Sequence, residues 1–408
     1  MQKKFLSIVL LLNCLFVKAQ YKNDNVLFKT VDPSELCATL EKNKGYLLLD
    51  VRSPGEHNDT STSPKYNLGH LKGARNIDVS ELDKRLSELQ QYKDKPVFVY
   101  CSHSQRSRRA SKTLVDSGFT KVFNVNGGMT AIYYTGAKEM DCLKTLVETS
   151  NPYRLISANE LCAQLAKQGP PFILDVRSDS AFRHISRNAK ENAAGFFSGT
   201  VNIPLNVLPD RLNDLPKEQN IVITDLNGDD AARASVFLNK KGFKNVAVLI
   251  EGIDRVLSSD EQDLWCKNGF LYQSPVTYKM LSSAEFGRFA KTNTGYLPLD
   301  IRTKAEVANT DSNYWKNIGH LKNSINIPAA ELDKNIEQLK TYKDKEIVIY
   351  SFGSGSEIFA AAERLQKAGF KKVNVLVGGI FTLRWTAANV KGQSYLTDLV
   401  EGVPEINW

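Results

Sequence analysis

An internal repeat constrains the fold of this 408-residue chain more than any other feature. The tripeptides Asp50-Val51-Arg52, Asp175-Val176-Arg177 and Asp300-Ile301-Arg302 stand 125 residues apart, and each follows an apolar run. Each repeat also contains a later apolar run, a helix-like segment that ends at Gly-Phe, and a closing apolar run before a glycine. Self-similarity of this kind predicts three homologous domains. We place them at residues 27–148, 149–274 and 275–408.

The pattern inside one repeat predicts an α/β fold. Short continuous runs of Val, Ile and Leu alternate with segments of helical periodicity, as in Pro33–Leu40 and Ser107–Ser117. Such runs are typical of strands buried on both faces, which belong to mainly parallel sheets flanked by helices. Ligands bind these sheets in the loops beyond the carboxyl ends of the strands. The loop after the strand Val97–Tyr100 is therefore the first candidate for a site.

The N-terminus has the features of an export signal. Lys3 and Lys4 precede an apolar run from Phe5 to Val17, and Ala19 completes a signal-peptidase pattern. This run is shorter than the ~20 residues that a membrane-spanning helix needs. We predict a cleaved signal peptide over residues 1–19, no transmembrane span in the mature protein, and a periplasmic or secreted location. Cys14 leaves lipoprotein anchoring as an alternative, although Asn13 is a poor residue before a lipidated cysteine.

Composition and charge narrow the classes of function. The chain is 42% hydrophobic and 24% charged, which excludes a disordered, collagen-like or multi-span membrane protein. Six cysteines are too few for a disulfide scaffold and lack the spacing of a zinc site. The formal charge of +8 becomes +5 without residues 1–19, and no lysine-rich block or aromatic-interleaved basic stripe occurs. We therefore predict no nucleic-acid partner, and the sequence calls for no metal or organic cofactor.

The loop after Tyr100 carries the candidate chemistry. A cysteine between a strand end and a helix start faces unpaired backbone N–H groups and the positive end of the helix dipole. Both favour the nucleophilic thiolate, and such a loop can hold an anionic sulfur or oxyanion within a ring of amides. We predict that Cys101 is catalytic. We predict that the substrate-binding residues are Ser102, His103, Ser104, Gln105, Arg106 and Ser107.

The other cysteines beyond the signal peptide occur in matched pairs. Cys37 and Cys162 occupy equivalent positions 125 residues apart, and Cys142 and Cys266 correspond approximately. These four are predicted to be structural, and the sequence leaves open whether any two form a disulfide. Cys101 has no cysteine equivalent in the other repeats. The alternative that Cys101 is simply a small buried residue is disfavoured by its loop position and cationic neighbours.

The segments DVRSPGE, GHLKGARNI, VYCSHSQRS and NVNGG resemble the rhodanese (thiosulfate sulfurtransferase) superfamily. The resemblance covers all three repeats and implies a mainly parallel five-stranded sheet in each. It implies that Cys101 accepts sulfane sulfur from a small anionic donor such as thiosulfate and that loop amides hold the resulting persulfide. It further implies that Arg106 orients the anion and that a thiol, cyanide or a protein acceptor receives the sulfur. Ser104 stands where this family usually has glycine, and the segment from Glu56 to Gly69 is longer than is typical.

Two other functions remain open. Related phosphatases and arsenate reductases place the loop arginine six residues after the cysteine, whereas Arg106 lies five residues after Cys101 and position 107 is serine. A non-catalytic binding or scaffold protein is the other alternative, because two of the three loops lack the cysteine.

The second and third loops are predicted to be inactive. Asp225 and Asp230 replace the cysteine and arginine of the second loop, and its carboxylates would repel an anionic donor. A calcium site is an alternative, but the bidentate glutamate is missing, and we expect these carboxylates to satisfy a helix N-terminus. Ser351 and Glu357 take the two positions in the third loop. The Asp-x-Arg tripeptides persist in these repeats, which favours structural ion pairs, and Arg75 is expected to add positive charge near the active loop.

Overall fold

The computed structural model describes residues 27–135, 140–262, 264–267 and 271–404. The predicted signal peptide lies outside these residues. Within them, each repeat forms an α/β domain with a five-stranded parallel sheet, as the sequence predicted. No helix in the described ranges combines the length and the apolar character that crossing a membrane would require.

Domain 1 begins with the first strand and ends in a short ribbon strand. Its strands are β1 (Lys29–Val31), β2 (Leu47–Asp50), β3 (His70–Leu71), β4 (Arg75–Asn76), β5 (Val97–Tyr100), β6 (Val122–Val125) and β7 (Val147–Glu148). Its α-helices are α1 (Pro33–Lys42), α2 (Pro54–His57), α3 (Leu82–Arg85), α4 (Gln105–Asp116), α5 (Gly128–Tyr134) and α6 (Met140–Leu146). Short 3₁₀ helices span Pro64–Tyr66 and Leu86–Tyr92.

Domain 2 repeats this order. Its strands are β8 (Arg154–Ile156), β9 (Phe172–Asp175), β10 (Phe196–Phe197), β11 (Val201–Asn202), β12 (Ile221–Thr224), β13 (Val246–Leu249) and β14 (Tyr272–Gln273). Its α-helices are α7 (Ala158–Leu165), α8 (Asp179–Phe182), α9 (Ala189–Ala193), α10 (Asp229–Lys240) and α11 (Gly252–Ser258), and a 3₁₀ helix spans Leu208–Asp214.

Domain 3 follows the same plan. Its strands are β15 (Lys279–Leu281), β16 (Leu297–Asp300), β17 (His320–Leu321), β18 (Ile325–Asn326), β19 (Ile347–Tyr350), β20 (Val373–Leu376) and β21 (Val400–Glu401). Its α-helices are α12 (Ser283–Thr292), α13 (Lys304–Val307), α14 (Leu332–Asn335), α15 (Ser356–Lys367) and α16 (Gly379–Asn389). Its 3₁₀ helices are Tyr314–Lys316, Ala329–Glu331, Ile336–Tyr342 and Ser394–Leu399.

The strand order is the same in the three sheets. In domain 1 it is β1-β6-β5-β2-β4, and the equivalent orders are β8-β13-β12-β9-β11 and β15-β20-β19-β16-β18. All neighbouring strands are parallel, and every residue of the central strands β5, β12 and β19 is buried. Burial on both faces explains why these strands are continuous apolar runs. An antiparallel ribbon, β3-β7, β10-β14 or β17-β21, closes each repeat.

The Asp-x-Arg tripeptide joins two loops at the carboxyl edge of each sheet. Arg52 binds Asp50 with a closest N–O distance of 2.6 Å, and both side chains are fully buried. The same guanidinium donates to the carbonyl oxygen of Gly69 at 2.7 Å. A buried ion pair is tolerated when further hydrogen bonds satisfy its groups. The arrangement recurs in the other domains at Arg177–Asp175 and Arg302–Asp300, which confirms its structural role.

Two equivalent disulfides resolve the question that the sequence left open. Cys37 of α1 bonds to Cys142 of α6, and Cys162 of α7 bonds to Cys266. Each closes a loop of about one hundred residues, because the partners are 105 and 104 positions apart. Among the described cysteines, only Cys101 keeps a free thiol.

In domain 3, packed side chains occupy the place that the disulfide has in domains 1 and 2. Gly287 aligns with the α1 cysteine, and a Cβ at this glycine would lie 2.7 Å from the hydroxyl oxygen of Tyr395. The Tyr395 ring therefore occupies the space that the disulfide takes in the other repeats. Lys291 covers that ring with its ammonium 3.5 Å from the ring centre.

Candidate functional site

Cys101 lies where the sequence predicted, at the carboxyl end of β5 and before the N-terminus of α4. Its side chain is buried, and its Sγ accepts a hydrogen bond from the backbone N–H of Ser104 at 3.1 Å. The carbonyl oxygen of Cys101 accepts from the N–H of Met129 at 2.9 Å, which holds the loop against the start of α5. An N–H directed at the sulfur can stabilise negative charge that develops there.

Ser104 adopts the backbone conformation of the glycine that it replaces. Its φ angle is 82°, in the left-handed region, and Gly228 at the equivalent position of domain 2 has a φ of 90°. A non-glycine residue pays for this conformation with about 1–2 kcal/mol. The Ser104 hydroxyl accepts a hydrogen bond from the N–H of Gly127, which stabilises the turn. The substitution therefore preserves the loop shape.

Arg106 forms a two-pronged ion pair with Glu56, which sequence reasoning did not single out as a site residue. Nη2 of Arg106 lies 2.6 Å from Glu56 Oε1 and 2.9 Å from Ser102 Oγ. Burial raises the pKa of Glu56, but the hydrogen bonds and charge of Arg106 outweigh it and hold that pKa below its ordinary value. Glu56 also forms a capping box with Ser53, and this S-x-x-E pattern is the sequence signal that could have pointed to it. The Arg106 side chain remains about one third exposed, at 32%, beside the pocket.

His103 extends from the loop toward domain 2. Its Nε2 lies 2.9 Å from Oε1 of Glu251 and 3.2 Å from Oγ1 of Thr130. Glu251 was also missed by sequence reasoning. The available signal is its position, because it replaces the first glycine of the Gly-Gly pair that follows the last sheet strand in the other two repeats.

A pocket of about 470 Å³ lies over Cys101. The loop contributes Cys101, Ser102, His103, Gln105 and Arg106 to its wall, and the opposite wall consists of Ser53, Glu56, Ser61, Ser63 and Tyr66. The opposite wall thus includes part of the segment from Glu56 to Gly69, which the sequence shows to be longer than is typical. A larger groove of about 700 Å³ lies elsewhere between domains 1 and 2, and Cys101 does not line it.

Domain 2 fixes the opposite wall of the pocket. Oδ1 of Asp229, at the start of α10, accepts hydrogen bonds from Ser63 Oγ at 3.0 Å and from the N–H of Lys65 at 3.3 Å. Arg233 of the same helix donates to the carbonyl oxygen of Thr62 at 3.4 Å. Domain 2, whose own loop lacks the cysteine, therefore contributes to the entrance of the pocket over Cys101.

Two of the predicted substrate-binding side chains face away from the pocket. Ser107 Oγ lies 2.6 Å from Asn124 Oδ1 and 3.1 Å from the carbonyl oxygen of Ser104, so it joins the loop to the sheet. The Ser104 hydroxyl is directed at Gly127. Gln105 is exposed at the pocket rim.

Arg75 does not contribute the charge that the sequence suggested. Its guanidinium pairs with the Glu88 carboxylate and also contacts the Glu88 carbonyl oxygen. It does not line the pocket over Cys101. That expectation was wrong, because the chain supplies a carboxylate partner thirteen residues later in the sequence.

The loop of domain 2 is occupied by its own carboxylate. Asp225 stands at the cysteine position and accepts hydrogen bonds from the N–H groups of Gly228 and Asp230, the latter at 2.8 Å. Burial raises the pKa of Asp225 to about 6. These bonds satisfy the loop and helix amides, as predicted. No group of three or more His, Cys, Asp or Glu side chains in the described ranges is arranged to hold a metal.

The loop of domain 3 keeps one hydrogen bond of the domain 1 loop and loses its charge arrangement. Ser354 accepts from the N–H of Gly378, as Ser104 does from Gly127 in domain 1. Glu306, the equivalent of Glu56, pairs with Lys316 at 2.9 Å in place of a loop arginine. The cysteine position is occupied by Ser351, whose hydroxyl has no thiolate-like nucleophilicity without a base.

The fold and the loop define a class of protein: repeated α/β domains in which one cysteine lies at the base of a short, amide-lined anion loop. The sequence pattern of the Rhodanese-like domain matches residues 32–134, 157–259 and 288–384. These matches cover most of the chain and all three repeats. The protein therefore belongs to the rhodanese-like family.

Several known proteins are similar to parts of this chain. The chain is 37% identical over 114 residues to the uncharacterized protein YqhL of Bacillus subtilis, covering 28% of this chain and 79% of that protein. It is 32% identical over 103 residues to the thiosulfate sulfurtransferase GlpE of Pseudomonas putida, covering 25% of this chain and 81% of that protein. The solved thiosulfate sulfurtransferase of Pseudomonas aeruginosa shares 17% identity with a TM-score of 0.22, covering 86% of this chain and 66% of that one.

Proposed function

We propose that this protein is an exported sulfurtransferase that carries sulfane sulfur as a persulfide on Cys101. The observation that carries the proposal is the N–H of Ser104 directed at Cys101 Sγ, 3.1 Å away, in a loop beneath an open pocket. The free thiol of Cys101 contrasts with the four described cysteines held in disulfides. The similarity to a thiosulfate sulfurtransferase over one repeat supports the same chemistry.

The two half-reactions are nucleophilic displacements at sulfur. The Cys101 thiolate attacks the sulfane sulfur of thiosulfate, the sulfur–sulfur bond of the donor breaks, and sulfite leaves with the electron pair. The acceptor, cyanide or a thiolate, then attacks the outer sulfur of the persulfide and regenerates the Cys101 thiolate. The loop N–H groups stabilise negative charge on sulfur in both steps. Arg106, which remains partly exposed beside the pocket, attracts the anionic donor.

The inactive domains act as parts of the entrance and as braces. The amides of the second loop are occupied by Asp225, so this loop has no free cradle for a donor anion. Domain 2 instead supports the pocket wall through Asp229. Domain 3 contacts the active domain through Asn389, whose backbone oxygen accepts from Asn126 at 2.7 Å.

Export is part of the proposal. Disulfides persist in oxidising compartments such as the periplasm and the extracellular space. The bonds Cys37–Cys142 and Cys162–Cys266, together with the signal-like N-terminus, favour such a location.

The test combines turnover with mass measurement. The protein incubated with thiosulfate and cyanide is expected to yield thiocyanate, and its intact mass is expected to rise by one sulfur atom after thiosulfate alone. Cys101→Ser should lose both signals, whereas Ser351→Ala, the matched change in domain 3, should keep both. Retained turnover in Cys101→Ser would refute the assignment. Turnover of an aryl phosphate or of arsenate, without sulfur transfer, would favour the phosphatase or arsenate reductase alternative.

A further inference from the structure

The second domain places a carboxylate against His103, which lines the pocket of domain 1. Oε1 of Glu251 lies 2.9 Å from Nε2 of His103, and the two side chains are 30% and 47% exposed. His103 lines the pocket over Cys101 and lies two residues after it. The contact therefore connects the active loop to a residue 148 positions away in a domain without a nucleophile.

The backbone conformation at position 251 favours glycine, so the fold of the loop does not account for a glutamate there. The φ angle of Glu251 is 58°, in the left-handed region that glycine adopts freely and long side chains rarely adopt. Gly127 and Gly378 occupy the same position in the other repeats, with φ angles of 68° and 86°. Domain 2 thus carries a strained residue where the fold favours glycine. A strained residue held in this way is a reason to look for a role of its side chain.

The surrounding charges determine which atom of the pair carries the proton. Burial raises the pKa of Glu251, but His103 and Arg255 outweigh burial and hold it below its ordinary value. Arg255 Nε lies 3.9 Å from Glu251 Oε2, and its guanidinium lies 4.5 Å from the ring centre of Tyr134 in domain 1. An ionised carboxylate only accepts hydrogen bonds, so Nε2 of His103 must be the donor. In the neutral imidazole, Nδ1 is then the basic nitrogen.

We infer that Glu251 is a positioning residue for the sulfur-transfer site: it holds His103 at the pocket mouth with Nε2 protonated, so that Nδ1 accepts the proton of an incoming thiol acceptor. This inference rests on the proposed function. A carboxylate that fixes the tautomer of an imidazole and stabilises the imidazolium formed on proton transfer is an established device for general-base catalysis. His103 is then a catalytic residue of the second half-reaction.

The step balances without an oxidant or reductant. The S–H bond of the acceptor breaks and its proton moves to Nδ1 of His103. The acceptor sulfur bonds to the outer sulfur of the Cys101 persulfide, the sulfur–sulfur bond within that persulfide breaks, and its electron pair returns to Cys101 Sγ. The imidazolium then releases its proton to solvent, and the product is the persulfide of the acceptor.

The test compares thiols that do and do not have a proton to lose. The protein is loaded with thiosulfate, freed of excess donor, and mixed at neutral pH with an aliphatic thiol or with an aromatic thiol that is already ionised. Loss of the extra sulfur is followed by rapid quenching and intact mass. Glu251→Gln is expected to slow discharge to the aliphatic thiol about tenfold, less than the ~100-fold or more that is typical of general-base catalysis, because some thiolate is present at pH 7. Discharge to the ionised thiol should change less than about twofold, since no proton needs to leave.

Further variants separate positioning from a structural role. Glu251→Gly restores the residue of the other repeats, so its melting temperature should not fall while discharge to the aliphatic thiol falls as in Glu251→Gln. His103→Ala should show the same selective loss, and the double variant should lose no more than either single variant. Glu218→Gln, a change at an exposed glutamate of domain 2, is the control and should behave as wild type.

The outcomes distinguish the inference from the proposed function. Equal slowing with both thiols in the Glu251 variants would indicate a structural contact and overturn the inference. Wild-type discharge rates in those variants would overturn it as well. Failure of the wild-type protein to gain sulfur from thiosulfate would instead refute the proposed function, and the inference with it.

Discussion

The disulfide between Cys37 and Cys142 stabilises domain 1 by an amount that can be worked out from its place in the chain. It joins residues 105 positions apart, and in the chain-entropy treatment a closed loop of this size contributes about 4.7 kcal/mol at 25 °C. Cys37 is half-buried and Cys142 is exposed, so changing both to alanine removes little packed surface. Removal of a native disulfide from a small domain typically costs about 2–5 kcal/mol, and we expect Cys37→Ala/Cys142→Ala to lower the free energy of unfolding of domain 1 by an amount in this range.

The chain contains its own controls for this measurement. Domain 3 replaces the disulfide with Gly287 packed against Tyr395, so its unfolding should not respond to the double variant or to a reducing agent. Hydrogen exchange followed by mass spectrometry across a urea series resolves the three domains. With a urea dependence of about 2 kcal/mol per molar, the middle of the usual range, the midpoint of domain 1 should fall by about 1–2.5 M. Reduction of the wild-type protein should lower the midpoints of domains 1 and 2 only.

Two results would contradict this reasoning. A midpoint of domain 1 that moves by less than about 0.3 M would show that the loop-closure term is absent. An equal shift in domain 3 would show that the variant acts on the whole chain rather than on the closed loop. Alkylation of the denatured, unreduced protein provides an independent check, since Cys101 should react while Cys37 and Cys142 should not.

Three further predictions follow from the site and its support. Gly128→Ala should abolish sulfur transfer, because its Cβ would lie 2.8 Å from the carbonyl carbon of Cys101. Gly295→Ala, at a glycine with open space around its Cβ and no left-handed backbone, is the control and should retain activity. Tyr100→Phe should lower the free energy of unfolding, measured in urea, by about 1–3 kcal/mol, because the buried backbone N–H of Leu71 loses the hydroxyl that accepts its hydrogen bond. Glu56→Gln should lower the free energy of unfolding at pH 7, because it removes the ionised partner of Arg106. The folded pKa of Glu56 is lowered, so the difference between wild type and variant is full above the unfolded pKa of about 4.3. In melting curves this difference should vanish as the pH falls through the folded pKa.

Local patterns predicted those parts of the site that lie within one stretch of chain. The Cys101 loop, its strand and its helix are consecutive, so periodicity and loop position were enough to place them. Glu56 was missed as a partner of Arg106 because the two residues are fifty positions apart and meet only when the sheet edge forms. Arg75 was assigned to the site because its charge was visible in the sequence, whereas its pairing with Glu88 was not.

The sequence by itself determined the three repeats, the α/β class of each and the one cysteine of the repeats that has no matching cysteine, because these depend on the spacing and type of neighbouring residues. Only the tertiary structure decided which cysteines pair and that domain 2 shapes the pocket of domain 1. It also brought His103 to Glu251 at 2.9 Å, although the sequence showed only that a glycine had been replaced. The physical reason is that hydrogen bonds and disulfides act over a few ångströms. Residues distant in the chain meet only after the sheets are formed and the domains are packed together.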